Sequence, residues 1–331
     1  MATYKGIQGY TVQNLSSDPS PLIGGQLWYN NSTGKFKVAE IGTGAWASAT
    51  ATPTAMFGSG GAGTATAALS FGGHFPPASP SITRDLTFEY DGSAWTTGGA
   101  YPTDIEGPFG FGTQTAAMGS GGQTPTKVDT SNTYNGSTWT AGPTMNTARE
   151  SGQSFGTQTA AVATGGWTAP TRVSLVEEFN GTAWSEETNM PAVKANGSGG
   201  GTLTAGLSFL GTDAPGAGGR VKTSYAYNGT SWTATTDANT ARSGCGGGGA
   251  TETTTMTYGG EPPYTGKTEQ FNGTSWTEVA DMSTARQRPS NPLSQGTQEA
   301  QLCIMGDTGA AITTVEEWNG APVSAKTVTV S

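Results

Sequence analysis

The chain has 331 residues, of which 52 are glycine and only 12% are charged, and its formal net charge at neutral pH is −9. Lysine and arginine are scattered, which argues against nucleic-acid binding, and no run of 18 apolar residues predicts insertion into a membrane. Residues 1–10 lack the apolar stretch of a secretion signal, so we expect the protein to be made in the cytoplasm. Nine Trp, ten Tyr and eleven Phe can seed a packed core, so the composition does not indicate disorder.

The first 41 residues lie outside the repeats that follow. Within them, residues 26–38 predict a β-hairpin with polar residues and glycine at its turn. This stretch is similar to short segments of tail-fibre and other virion proteins of tailed bacteriophages, in which two aromatics, Asn and a Thr-Gly-Lys turn precede a Gly-x-x-Trp strand. The resemblance implies that residues 1–41 anchor the chain to other virion proteins, with Trp28, Tyr29 and Phe36 as anchoring contacts. The alternative is an extra hairpin packed on the repeats.

One element recurs through the rest of the chain: an aromatic residue, Asn or Asp, Gly, Ser or Thr, any residue, and Trp. Asn-Gly and Asp-Gly accept the positive φ angles of a tight hairpin turn, so the aromatic and the Trp are expected to pack across neighbouring strands. The Trp residues are 44, 45, 48 and 44 positions apart. The full copies are Tyr90–Trp95, Tyr134–Trp139, Phe179–Trp184, Tyr227–Trp232 and Phe271–Trp276, and Trp318-Asn319-Gly320 is a partial copy.

A glycine doublet or its remnant precedes the Asn or Asp of each turn by 13 to 19 residues. The doublets and remnants are Gly72-Gly73, Gly121-Gly122, Gly165-Gly166, Leu210-Gly211, Gly259-Gly260 and Met305-Gly306. Each repeat therefore predicts four short strands: a small-residue strand, a strand ending at the doublet, a strand ending in the aromatic, and a strand carrying Trp.

These spaced features resemble the kelch repeat over residues 45–320. The resemblance implies an all-β fold, a six-bladed kelch-like β-propeller over residues 42–331, preceded by the short N-terminal β-hairpin extension of residues 1–41. The last repeat lacks its Trp strand. We expect the strand around Trp46 to complete the sixth blade, since such closure removes open strand edges; the rival is the alternating strand from Val323 to Val330.

The sequence offers little catalytic chemistry. Its only histidine, His74, follows a glycine doublet at a loop, and no nucleophile turn accompanies it. One histidine and two distant cysteines cannot form a zinc site, so we predict no catalytic residue, no metal and no cofactor. Cys245 and Cys303 are either free and buried or joined in a single bridge. Neighbouring glutamates such as Glu177-Glu178 face opposite sides of a strand, so we expect the protein not to be an enzyme.

The loops after the second strand of each repeat vary, whereas the Asn-Gly turns on the opposite face are uniform. Loops on a rigid scaffold commonly carry recognition, so we predict a recognition face there that includes His74, Phe75, Trp167 and Tyr264. Cations also recur ten residues after a Trp, and they either have a structural role between blades or form a ring that faces an anionic ligand. These cations are Arg149, Lys194, Arg242 and Arg286.

Together these features predict a non-catalytic virion structural protein of a tailed phage. Its N-terminus would bind other virion proteins. Its propeller would serve adhesion to a host-surface glycan or assembly of the particle, in which the protein could form a homo-oligomer. The alternatives are a cellular lectin-like or scaffold propeller and, third, a glycan-active enzyme. We expect no nucleic acid as a partner.

Overall fold

The computed structural model describes residues 12–23, 25–75, 82–215, 217–290, 295–321 and 323–329. The chain forms two compact units. The N-terminal unit comprises residues 1–44 together with 320–331, and the repeat unit comprises residues 45–319. No helix within the described residues is long and apolar enough to cross a membrane.

The N-terminal unit is one four-stranded sheet. Its strands, in spatial order, are Gln13–Leu15, Leu27–Asn30, Lys35–Ile41 and Val323–Thr327. The first pair is parallel and the others are antiparallel. The predicted hairpin of residues 26–38 is therefore present, but it is the centre of a larger sheet that also contains a strand from the end of the chain. Residues 1–11 of the predicted anchoring segment lie outside the described residues.

Trp28 is the core of this sheet and is fully buried. Its indole N–H donates to Asp18 Oδ1 at 3.1 Å, and the same carboxylate accepts from Asn30 and from the ammonium of Lys37. The chain segment that carries Asp18 therefore covers one face of the hairpin. Trp28 is not available as a surface anchor, which corrects that part of the prediction.

The repeat unit contains six sheets, numbered here in chain order. Five have four strands, each an antiparallel meander, and the sixth has three described strands. The first sheet has the strands Gly60–Thr64, Ala67–Phe71, Thr87–Tyr90 and Trp95–Thr97, and the second has Phe109–Thr113, Ala116–Ser120, Ser131–Tyr134 and Trp139–Gly142. The third has Gln153–Thr157, Ala160–Thr164, Val176–Phe179 and Trp184–Glu186, and the fourth has Ser198–Thr202, Ala205–Phe209, Ser224–Tyr227 and Trp232–Ala234. The fifth has Gly246–Gly248, Met256–Tyr258, Thr268–Phe271 and Trp276–Val279, and the sixth has Ala300–Ile304, Val315–Asn319 and Ala45–Ala49.

Three small elements lie between the strands of these sheets. Two are two-stranded ribbons that follow the second strand of the first and second sheets, and the third is a short 3₁₀ helix. The ribbons are His74–Phe75 with Ile82–Thr83 and Gln123–Thr124 with Thr126–Lys127, and the helix is Ala217–Gly219.

The recurring turn joins the third and fourth strands of the first five sheets, as predicted. Gly92 has a φ of +92°, and the four equivalent glycines lie between +88° and +92°. The Asp91 carboxylate accepts the backbone N–H groups of Ser93 and Ala94, both at 2.8 Å, and the Asn residues of the other turns do the same. In all five turns the aromatic and the Trp lie directly opposite each other, with ring centroids 4.6 to 5.2 Å apart.

The sixth sheet takes its outer strand from Ala45–Ala49. Trp46 lies opposite Trp318 in this pairing, and its indole N–H donates to Thr268 Oγ1 of the fifth sheet at 2.9 Å. Trp139 makes the same bond to Thr87 of the first sheet, so Trp46 occupies the position of an outer Trp. The rival strand, Val323–Thr327, pairs with Lys35–Ile41 of the N-terminal unit instead, which differs from the predicted extent of the propeller.

Glutamine side chains join successive sheets on the side of the recurring turns. Gln158 Nε2, from the third sheet, donates to the carbonyls of Ala117 and Tyr134 in the second sheet at 2.8 and 2.9 Å. Gln114 and Gln298 bond to the preceding sheet in the same way. Cys245 and Cys303 are both free and buried.

Candidate functional site

Six residues in the repeat unit, one at the entry to each sheet, hydrogen-bond to one another in a closed circle. Each backbone N–H donates to the carbonyl of the residue before it at 2.6 to 2.9 Å, and the first residue donates to the last. All six have φ between +49° and +63°, a region that glycine reaches readily and other residues seldom occupy. This ring, named here the entry ring, consists of Gly58, Gly107, Ser151, Asn196, Gly244 and Arg288.

A cavity of about 330 Å³ lies above the entry ring. Its wall comes from the connections between sheets, from the loops after the second strands, and from the ring itself. The connections supply Glu106, Glu150, Ser243 and Gln287; the loops supply Gln123, Trp167 and Glu261; and the ring supplies Ser151, Asn196, Gly244 and Arg288. A smaller cavity of about 50 Å³ is lined by the entry ring and its neighbours.

Arg288 closes one side of the larger cavity. Its guanidinium reaches from the sixth sheet past the first to Glu106 Oε1, at 2.5 Å. It passes over Gly58, where an added Cβ would lie 3.1 Å from Nη2, so the glycine makes room for it. The other oxygen of Glu106 lies 3.1 Å from Nδ1 of His74. Burial alone would raise the pKa of Glu106, but the charge of Arg288 and the bond with His74 outweigh it, so the pKa lies below its ordinary value.

The opposite side carries an aromatic surface and a second carboxylate. Trp167 is 41% exposed, and the ammonium of Lys127 lies 4.6 Å from its ring centroid. The same ammonium donates to Glu150 Oε1 and to Gln123. Glu150 is buried, and its burial raises its pKa despite the nearby Lys127. Backbone bonds between Glu150 and Trp167 hold the two residues side by side.

On the third side of the cavity, Glu261 and Ser243 exchange two backbone hydrogen bonds, as Glu150 and Trp167 do on the opposite side. Arg220 pairs with Glu261 Oε1 at 3.0 Å. Ser243 is 4% exposed, and within the described residues its hydroxyl makes no hydrogen bond. The cavity wall is thus rich in hydrogen-bond acceptors, with one large aromatic ring.

The four recurring cations do not belong to this cavity. Arg149, Arg242 and Arg286 are almost fully buried, and each pairs with a glutamate on the third strand of the sheet that it precedes. The partners are Glu177 for Arg149, Glu269 for Arg242 and Glu316 for Arg286. Because these cations are inside the sheets, they form no exposed ring for an anionic ligand, which corrects that alternative. Their role is structural: the ion pairs lie within one sheet, and Arg149 also packs against the neighbouring second sheet, 5.4 Å from the ring centroid of Phe109.

Lys194 occupies the same repeat position without a carboxylate. It is fully buried; its ammonium donates to the carbonyl of Thr223 at 2.9 Å and lies 4.7 Å from the ring centroid of Tyr225. Tyr225 stands where the third, fifth and sixth sheets have glutamate, so the ion pair is replaced by a cation–π contact. Burial lowers the pKa of Lys194 to about 7. In the first sheet this position is Met56, which is buried.

The predicted recognition residues lie in different places. Trp167 lines the cavity. His74 stacks on Phe57, with ring centroids 4.8 Å apart, and binds Glu106. Phe75 lies beneath the guanidinium of Arg84. Tyr264 is 37% exposed and donates to Asp307.

Sequence reasoning missed most of the wall. Four wall residues lie eleven positions after a Trp, directly after the recurring cation position: Glu106, Glu150, Ser243 and Gln287. The residues of the entry ring lie twelve positions after a Trp. The signal was therefore present in the repeat register. These residues differ in type from repeat to repeat, so no motif marks them. Within the described residues, no group of three or more His, Cys, Asp and Glu side chains is placed to hold a metal ion.

No protein-family model and no curated protein sequence matches the chain. The fold is similar to that of the solved structure of YjhT, with a TM-score of 0.66 and 13% identity, over 85% of this chain and 99% of that chain. At this identity the similarity concerns the fold alone. Together with the antiparallel four-stranded sheets, it confirms the all-β prediction and shows that the protein contains a β-propeller.

Proposed function

We propose that the protein is a non-catalytic virion structural protein of a tailed bacteriophage that displays a six-bladed, kelch-like propeller for adhesion to a host-surface glycan. The six sheets are its blades. Five of them carry the full recurring turn, and Trp46 supplies the outer Trp of the sixth. The closed entry ring, with one residue from each sheet, supports this count.

The cavity above the entry ring carries the binding part of the proposal. A volume of about 330 Å³ lies within the range of ligand pockets, roughly 300–1,000 Å³. Sugars present an apolar ring face and many hydroxyl donors, and this wall offers the exposed ring of Trp167 beside the carboxylates of Glu150 and Glu261. The entry ring fixes the spacing of these groups through backbone bonds, so little conformational freedom is lost when a ligand binds.

A glycan-active enzyme is the second candidate. Glu106 and Glu150 line the same cavity, and their pKa values are shifted in opposite directions, a pattern typical of acid and base pairs. However, both oxygens of Glu106 are engaged, one by Arg288 and the other by His74. A base or nucleophile needs an available oxygen, so this arrangement favours binding over hydrolysis.

Anchoring is assigned to the N-terminal unit. Phe36 is 51% exposed and lies 5.0 Å from Tyr29, centroid to centroid. Val328, 39% exposed, donates its backbone N–H to the carbonyl of Phe36. With the half-buried Tyr29, the exposed Phe36 and Val328 form an apolar row on this sheet, the kind of surface that binds another protein. The partner in this proposal is another virion protein, and the similarity of residues 26–38 to virion segments supports it.

The binding part is tested on a glycan array that includes bacterial surface polysaccharides. We expect wild-type protein to bind a subset of glycans, and Trp167→Ala to weaken that binding by roughly tenfold or more, as for a central aromatic contact. Phe36→Ala is the matched control, since it removes an exposed aromatic from the other unit. It should leave glycan binding unchanged and reduce incorporation into particles.

Each alternative has its own outcome. Release of sugar from a bound polysaccharide, lost in Glu150→Gln, would replace adhesion by catalysis. Binding that persists unchanged in Trp167→Ala would remove the cavity from the proposal. A gene surrounded by cellular genes rather than capsid, portal or tail genes would favour a lectin-like or scaffold propeller of the cell.

A further inference from the structure

We propose that the cavity selects glycans by charge: it binds neutral or amino hexoses and rejects acidic sugars such as uronic acids. This inference rests on the proposed function, because it names the class of sugar that the same cavity takes. It is carried by how the charged groups around the cavity are already paired.

Three cations beside the cavity pair with carboxylates of its wall. Arg288 pairs with Glu106, Lys127 with Glu150, and Arg220 with Glu261. To reach one of these three cations, an acidic sugar would have to displace its carboxylate, and the displaced group would remain beside the sugar in the same cavity. Like charges held close together in a partly buried site repel strongly, so the present pairing disfavours an anionic ligand.

Asp307 adds a further negative charge near the wall. Its carboxylate accepts from the hydroxyl of Tyr264 at 3.1 Å and from the amide of Gln287 at 2.9 Å. Both partners are neutral, so this charge is not balanced by a cation among the described residues. Asp307 therefore adds one negative charge without a cationic partner beside the cavity, in a chain whose net charge is −9.

The wall also has acceptor atoms without a partner. Glu150 accepts from Lys127 through Oε1, and within the described residues its Oε2 accepts no hydrogen bond. Glu150 is 5% exposed and Ser243 is 4% exposed, so these polar groups are largely removed from bulk solvent. Both oxygens keep access to solvent, so the hydroxyl or ammonium donors of a sugar could replace water at them. The carboxylate group of an acidic sugar has no donor to offer them.

The test is a panel of immobilised sugars in matched sets that differ only in charge. Glucose, glucosamine and glucuronic acid form one set, and the galactose and mannose series form two more. Full-length protein should bind the neutral or amino member of at least one set about tenfold or more tightly than its acidic member. Equal or tighter binding of the acidic member would overturn the inference and leave the proposed glycan binding intact. Binding to no glycan, either here or on the array, would instead contradict the proposed function.

Glu150→Gln probes the mechanism of selection. The variant keeps the shape of the side chain but frees Lys127 to meet an anion, so the preference for the neutral sugar over its acidic partner should fall by about tenfold. Glu261→Gln, which frees Arg220, gives a second measurement should the first variant fold poorly. Glu299→Gln, exposed on a hairpin of the sixth sheet, is the matched control and should keep the wild-type preference. An unchanged preference in both cavity variants would contradict the inference.

Discussion

Replacing the buried Lys194 by methionine should stabilise the protein, and the gain should depend on pH. The first sheet already has Met56 at this repeat position, so methionine is compatible with the local fold. Burial lowers the pKa of Lys194 from 10.5 to about 7. Between pH 7 and about 10.5 the lysine is therefore mostly protonated in the unfolded chain but mostly neutral in the folded protein. The stability of the wild-type protein therefore rises with pH through this interval.

The size of the effect follows from the shift. A lowering from 10.5 to about 7 corresponds to roughly 5 kcal/mol of penalty on the charged form, at about 1.4 kcal/mol per pH unit. Methionine removes this penalty but also loses the hydrogen bond to Thr223 and the contact with Tyr225. The carbonyl of Thr223 keeps the N–H of Leu210, at 3.1 Å, so these losses should total about 1–2 kcal/mol. We expect Lys194→Met to gain roughly 3 kcal/mol below pH 7 and to lose this gain near pH 10.

The measurement is urea unfolding of both proteins at several pH values from 6 to 10. The wild-type free energy of unfolding should rise relative to that of the variant as the pH increases. Arg149→Met is the matched control, since it occupies the same repeat position. It leaves Glu177 buried without its cation, so it should destabilise the protein by about 3–5 kcal/mol.

Two results would refute this reasoning. Parallel stability curves for wild type and Lys194→Met would mean that the buried lysine does not titrate in this range. A destabilised variant at pH 6 would mean that its contacts with Thr223 and Tyr225 outweigh the cost of burying the charge.

Three further changes test the contacts that hold the sheets together. Trp46→Ala should lower the free energy of unfolding by about 3 kcal/mol, measured by urea unfolding, because it removes the ring contacts with Trp318 and Tyr258 that close the sixth sheet. Gln158→Ala should cost about 1–3 kcal/mol in the same assay, since two carbonyls lose their donor; an unchanged midpoint would contradict the inter-sheet role. Ser151→Gly should raise the free energy of unfolding by up to about 1 kcal/mol, and with it the melting temperature, because Ser151 has a φ of +55°. A lower melting temperature would show that the serine side chain contributes more stability than the backbone strain costs.

Much of the repeat unit could be predicted because short-range rules fix it. An Asn-Gly pair demands a tight turn, and the turn places the aromatic opposite the Trp, as Tyr134 and Trp139 show. The position of Trp46 followed from the repeat spacing. These features depend on residues a few positions apart, or on a period that the sequence repeats.

The cavity could not be predicted in the same way, because its groups meet across sheets. Arg288 and Glu106 are 182 residues apart in sequence, and no local pattern links them. Trp28 was misjudged for a related reason, since the partner that buries it, Asp18, lies on a segment without a recognisable motif. The recurring cations were located correctly along the chain, but their glutamate partners lie 27 to 30 residues further on.

The strand order of the sixth sheet also delays its completion while the chain is being synthesised. Its outer strand, Ala45–Ala49, leaves the ribosome early, whereas its partner begins at Val315, 266 residues after Ala49. At about 5–20 residues per second, the outer strand waits roughly 15 to 50 s for the strand it pairs with. Throughout this interval the first sheet also lacks its packing contacts with the sixth. The hydrogen-bonding edges of Ala45–Ala49 therefore stay unpaired in the nascent chain until Val315–Asn319 has been made.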